Sequence, residues 1–91
     1  MILQMFENYF TSVTNGRYMN VYGYIGDAIR MADQTFAMQN NGIGILDRPD
    51  LYDSFARMVE DNLRNAGAPI DLEREVGIRL REFFKVNYNV M

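Results

Sequence analysis

The chain has no cysteine, no histidine and no tryptophan, and only one lysine and two prolines among its 91 residues. Without cysteine no disulfide can staple the fold, and no thiolate can bind a metal or attack a substrate. Small secreted domains commonly lean on disulfides, so their absence points to a reducing compartment. Without histidine the usual base titrating near neutral pH is missing. Together the two absences remove the familiar nucleophile–base pairs and the standard zinc and copper sites. Catalysis would fall to Asp, Glu, Lys, Tyr or a hydroxyl. Lys85 is the sole Schiff-base candidate, but it sits in a polar-alternating stretch near the C-terminus, where a solvated amine is the simpler reading. No apolar run approaches the roughly 18 residues that span a bilayer. The N-terminal run lacks a basic start and is interrupted at Glu7 and Asn8, unlike a secretion signal. The expectation is a cytoplasmic protein with no membrane association, no cofactor and no resident metal.

The remaining candidate motifs dissolve on inspection. Asp47, Asp50 and Asp53 stand three apart, so on a helix they drift around the surface, and the spacing is not that of a calcium loop. Carboxylates opening a helix, at the positive end of its dipole, explain them better. Gly42-Ile43-Gly44 lacks the Gly-Lys-Ser/Thr of a phosphate loop and runs into Asp47 and Asp50, which repel phosphate. Among twelve acidic residues no pair stands out as a glycosidase couple. Gly23 and Gly26 read as a bend leading from a strand into a helix.

Apolar residues make up 48% of the chain and charged residues 23%, the balance of a folded domain. Residues 1–91 form one domain, because either half alone would be too small to bury a useful core. Even whole, a chain this size buries only roughly 60–65% of its unfolded surface, so self-association would add welcome burial. The net charge of −3 divides into −1 over residues 1–46, −4 over 47–73 and +2 over 74–91.

Periodicity predicts a helix from about Arg48 to Ala66. Asp47 is its N-cap, Leu51, Phe55, Met58, Val59 and Leu63 form its apolar stripe, and Gly67 and Pro69 stop it. Asp53–Arg57 and Glu60–Arg64 are acid-before-base pairs on its solvent side. A second helix is predicted from Ala28 to Asn40, capped by Asp27, burying Ile25, Ile29, Ala32 and Phe36, and ended by Asn41-Gly42. A short link, Gly42–Leu46, follows. A third helix is expected over 72–83, with Ile70 stapled against its first turn, Leu72, Val76, Leu80 and Phe83 inside, and Glu75 four before Arg79. Beyond it, apolar residues at even positions alternate with polar ones at odd positions, which predicts a strand at 84–90. At the N-terminus, Ile2, Leu3, Phe6, Phe10 and Val13 suit a helix over 2–12. Asn15-Gly16 is a strong hairpin signal, and β-formers in 17–24 suggest a strand there. The expected fold is α+β and helix-dominated, about three helices with a small two- or three-stranded sheet, with an all-α bundle as the alternative.

Eight arginines against one lysine, six tyrosines and seven methionines favour binding over catalysis, because Arg, Tyr and Met are enriched at protein interfaces and Lys is depleted there. The composition is also of the kind met in phage or mobile-element accessory proteins, though no motif accompanies it. Two surfaces stand out. Tyr18, Tyr22 and Tyr24 share one face if 17–24 is a strand. Arg74, Arg79, Arg81 and Lys85, with Tyr88 nearby, make a modest basic stripe at the C-terminal end. The leading expectation is a non-enzymatic protein–protein interaction module: an adaptor, structural component or inhibitor of a larger partner, forming homo-oligomers. The alternative is a small nucleotide- or nucleic-acid-binding protein using the basic segment, which the low isoelectric point, near 4.7, disfavours.

Overall fold

Four α-helices carry the chain: α1 (Ile2–Thr14), α2 (Tyr22–Gln39), α3 (Tyr52–Asn65) and α4 (Ile70–Tyr88), joined by 3₁₀ turns at Met19–Val21, Ile45–Asp47 and Pro49–Leu51. They come from a computed structural model that describes residues 2–88. The architecture is 83% helical with no strand among the described residues, so the expected sheet does not form and the all-α arrangement does. α3 runs antiparallel between α2 and α4: Asn62 reaches Ala28 and Phe36 meets Phe55 on one side, while Arg81 reaches both Asp53 and Glu60 on the other. α1 lies antiparallel along α4, with Phe6 against Phe83 and the Val13–Asn15 end beside Glu75 and Arg79.

Among the described residues the core is entirely apolar. Phe6, Phe10, Phe36, Phe55 and Phe84 are sealed in it, together with Ile25, Ile29, Ile45, Val59, Leu63, Leu72, Val76 and Leu80. Along each α-helix those positions fall four or seven apart, the spacing that places side chains on one face. T-shaped contacts join rings from different helices, Phe36 on Phe55 and Phe55 on Phe84, with centroids 6.0 and 6.1 Å apart.

Three departures from the sequence expectation have clear causes. First, α4 continues through 84–88, where a strand was expected; residues 89 and 90 of that segment lie outside the described residues. Val76, Leu80, Phe83 and Phe84 are buried at helical spacing, whereas Ile78 and Val86, even-numbered apolar residues that made the pattern look strand-like, are 50% and 72% exposed. Second, Asn15-Gly16 ends a helix instead of turning a hairpin. Asn15 and Gly16 both have positive φ (54° and 71°), and the Gly16 N–H donates to Thr11 O at 3.0 Å. A type I′ hairpin and this helix ending demand the same pair of left-handed residues, so the dipeptide does not distinguish them. Third, α2 starts six residues before the expected Ala28 and takes in 22–24 of the predicted 17–24 strand, the 3₁₀ turn at Met19–Val21 takes in three more, and Gly23 and Gly26 lie inside α2 with no bend. Asp27, read as its cap, is an interior residue paired with Arg30 at 2.7 Å.

α3 begins at Tyr52, after the 3₁₀ turn at Pro49–Leu51, and no side chain caps it. Ile70 opens α4 and is 68% exposed, so it staples nothing. Asn41-Gly42 ends α2 as expected, with Gly42 N–H donating to Ala37 O at 2.6 Å.

Candidate interaction surface

The charges of the expected basic stripe are mostly spent inside the molecule. Arg81 points from α4 to α3, where its Nε donates to Asp53 Oδ1 at 2.8 Å and its Nη atoms donate to the two Glu60 oxygens at 2.9 and 3.3 Å. The hydrogen bond with Glu60 is the main reason its pKa is raised; the bond with Asp53 adds to it. Asp53 in turn is held below the usual carboxylate range, chiefly by Arg81. Gly77 makes this clamp possible. A Cβ there would lie 1.9 Å from Glu60 Oε2, so the carboxylate rests where any other residue would put a side chain.

Arg79 is the centre of a second network. Its Nε donates to Glu75 at 2.6 Å and its Nη1 to both oxygens of Glu82 at 3.0 and 3.1 Å. Tyr9 of α1 donates its hydroxyl to the same Glu82 at 2.9 Å, tying α1 to α4. Bonding to Arg79, then to Tyr9, holds Glu82 below its ordinary range, while burial first and the Glu82 bond second push Tyr9 upward. Of the predicted helical pairs, Asp53–Arg57 and Glu75–Arg79 form; Glu60 goes to Arg81, and Arg64 goes to Glu73 at 2.6 Å and Asp61 at 3.4 Å.

The predicted basic site is therefore reduced to Arg74 and Lys85, both exposed and neither with an ion-pair partner among the described residues. Eleven positions apart on a helix, they are separated by roughly 16 Å. The Tyr88 side chain lies outside the described residues. Two such separated cations make no continuous track for a nucleic-acid backbone.

The tyrosine row also comes apart. Tyr18 lies half-buried on Phe10, and Tyr22 packs on the same ring with its hydroxyl hydrogen-bonded to Thr11. Only Tyr24 faces out. It does not stand alone, because Met31 and Met38 follow at intervals of seven on the outer side of α2, with exposures of 37%, 55% and 84%. No family model, curated protein or solved structure matches this chain. The surface stands on its own geometry.

Two shallow clefts flank the segment between α1 and α2. One, of about 300 Å³, lies between the Asn15–Gly16 helix ending and the Glu75/Arg79 pair of α4, and is also lined by Arg17 and Tyr18. It unites one residue from each predicted site, Tyr18 and Arg79. The other, of about 280 Å³, is bounded by Asn20, Val21 and Tyr24. Among the described residues no group of three ligating side chains could hold a metal ion, and no helix is long and apolar enough to cross a membrane.

Sequence reasoning missed Arg17, Met31 and Met38. The seven-residue spacing Tyr24–Met31–Met38 is present in the sequence but acquires meaning only once 22–27 is helical, since a strand would send Tyr24 off on an unrelated face.

Proposed function

We propose that this chain is a non-enzymatic protein-interaction module of the cytoplasm, an adaptor, structural component or inhibitor of a larger partner, which also self-associates through the outer face of α2. The observation that carries the reading is the exposed stripe Tyr24–Met31–Met38. Aromatic and methionine side chains supply large, adaptable contact area and are enriched at interfaces. The stripe is also self-complementary. A copy related by a two-fold axis through Met31 sets Met31 against its own equivalent and Tyr24 against Met38 of the copy, the isologous arrangement of a symmetric dimer. Asp27 and Arg30, already neutralising each other at 2.7 Å, lie beside the stripe as a polar rim.

Magnitude decides how strong such a pair is. Three side chains fall short of the roughly 800 Å² per partner that a stable complex buries. Self-association is then weak and concentration-dependent, and a partner covering more of α2 displaces it. Sedimentation equilibrium from micromolar to millimolar protein tests this. The expected result is a monomer–dimer equilibrium that Met31→Glu abolishes while leaving the melting profile of the monomer unchanged. A strict monomer over that whole range, with Met31→Glu behaving identically, overturns the self-association reading.

A further inference from the structure

We infer that the cleft between the end of α1 and α4 is a binding site for a carboxylate group, held by Arg17 and Arg79. The inference uses none of the α2 residues on which the proposed interface rests. At about 300 Å³ the cleft lies at the small end of the range for ligand sites.

Two arginines from distant parts of the chain line it, and both have guanidinium donors to spare. Arg17 is exposed and has no ion-pair partner among the described residues; its Cζ sits over the Tyr18 ring, 5.4 Å from the centroid. That cation–π contact limits the freedom of the side chain without using its N–H groups in the guanidinium plane. Arg79 spends Nε on Glu75 and Nη1 on Glu82, which leaves Nη2 without a partner among the described residues. The two carboxylates fix the plane of the Arg79 fork, so its free edge is already oriented. The Asn15 side-chain amide, at the rim, also engages no described group and can add a donor.

Charge selects the ligand class. Arg17 and Arg79 against Glu75 and Glu82, both of which bond Arg79, sum to zero, so the cation of the cleft without an ion-pair partner among the described residues is Arg17. A monoanionic carboxylate balances it and matches the planar guanidinium geometry. A phosphate monoester, close to doubly charged, would bring excess negative charge beside Glu75, with Glu82 one hydrogen bond behind. The same carboxylate chemistry comes from a small free acid or from the C-terminus of a peptide or protein.

Titration of the ¹⁵N-labelled full chain at low ionic strength with acetate, N-acetylalanine, N-acetylalanine amide and inorganic phosphate tests the site. Saturable shifts are expected at residues 14–18 and at the Arg17 and Arg79 side chains with the two carboxylates, and none with the amide. Arg17→Gln, at an exposed position with no ion pair to lose, should keep the melting profile and weaken binding by about tenfold or more. Arg74→Gln should leave binding unchanged. N-acetylalanine binding tighter than acetate supports a peptide C-terminus as the ligand, and equal binding supports a small free acid. Equal response to the acid and its amide, tighter binding of phosphate, undiminished affinity in Arg17→Gln, or shifts centred on Arg74 and Lys85 each overturn the proposal.

Discussion

Replacing Gly77 by alanine should destabilise the protein, although alanine is the better helix former by about 1 kcal/mol. The reason is the close approach of Glu60. The new Cβ would lie 1.9 Å from Oε2, 2.7 Å from Cδ and 3.0 Å from Cγ of Glu60, so the whole side chain must swing away. It then leaves Arg81, to which it is bonded at 2.9 and 3.3 Å. Charge-assisted hydrogen bonds of this kind contribute about 1.5–3 kcal/mol. The lower part of that range applies, because the two side chains remain 28% and 24% exposed. A loss of about 2 kcal/mol against a propensity gain of about 1 leaves a net destabilisation of about 1 kcal/mol. In a Glu60→Ala background the obstacle is gone, and the same substitution should stabilise by about 1 kcal/mol. Denaturant unfolding of the four proteins, comparing midpoints at constant m, measures both values and their coupling of about 2 kcal/mol. The reasoning is refuted if Gly77→Ala stabilises the parent protein, or if its effect has the same sign in both backgrounds.

Two further outcomes follow from the networks and the core. Glu82 and Asp53 both have lowered folded-state pKa values, set first by Arg79 and Arg81 respectively. A depressed carboxylate contributes stability that is complete above its unfolded value and is lost as pH falls through the folded one. The melting temperature should therefore decline as pH drops from about 5 to 2, and Glu82→Gln should be less stable near neutrality with a shallower acid decline. Parallel curves for the two proteins would show that the Arg79 network carries no such linkage. Phe10→Ala removes a fully buried ring that touches Phe6, Tyr18 and Tyr22. It should cost about 3–5 kcal/mol, a large share of the roughly 5–14 kcal/mol available to a chain of this length. A cost below about 2 kcal/mol in denaturant unfolding would mean that α1 docks far more loosely than its burial indicates.

The inward faces of all four helices were legible in the sequence, because burial imposes its 3.6-residue period on the apolar residues wherever they sit. Ile25, Ile29, Ala32 and Phe36, or Leu72, Val76, Leu80 and Phe83, could be assigned to one face without knowing what they pack against. What failed were places where two structures ask for the same residues. Asn15-Gly16 satisfies a hairpin turn and a helix ending equally, and the aromatic residues around it suit a strand as well as a ring cluster on Phe10. In α4 the exposed Ile78 and Val86 counterfeited an alternating strand, because exposure is invisible in a residue's identity. The site residues failed for a different reason. Which arginines are free depends on which carboxylates fold next to them, and Glu60 and Asp53 reach Arg81 from 21 and 28 positions away. Local spacing correctly paired Glu75 with Arg79, but it could not know that both residues would line a cleft with the end of α1.

The two asparagine–glycine helix endings bear on how the protein ages. Asparagine followed by glycine is the dipeptide most prone to cyclise, because the small neighbour lets its backbone nitrogen attack the side-chain amide, expel ammonia and leave an imide that water opens to aspartate or isoaspartate. Here both nitrogens are occupied: Gly16 N–H is tied to Thr11 and Gly42 N–H to Ala37. The attacking atom is withheld for as long as each helix end stays closed. Isoaspartate would lengthen the backbone at the very residue that terminates the helix, so each lesion would hold open the end through which it entered. Deamidation at Asn15 and Asn41 is thus paced by the fraying of two helix tips.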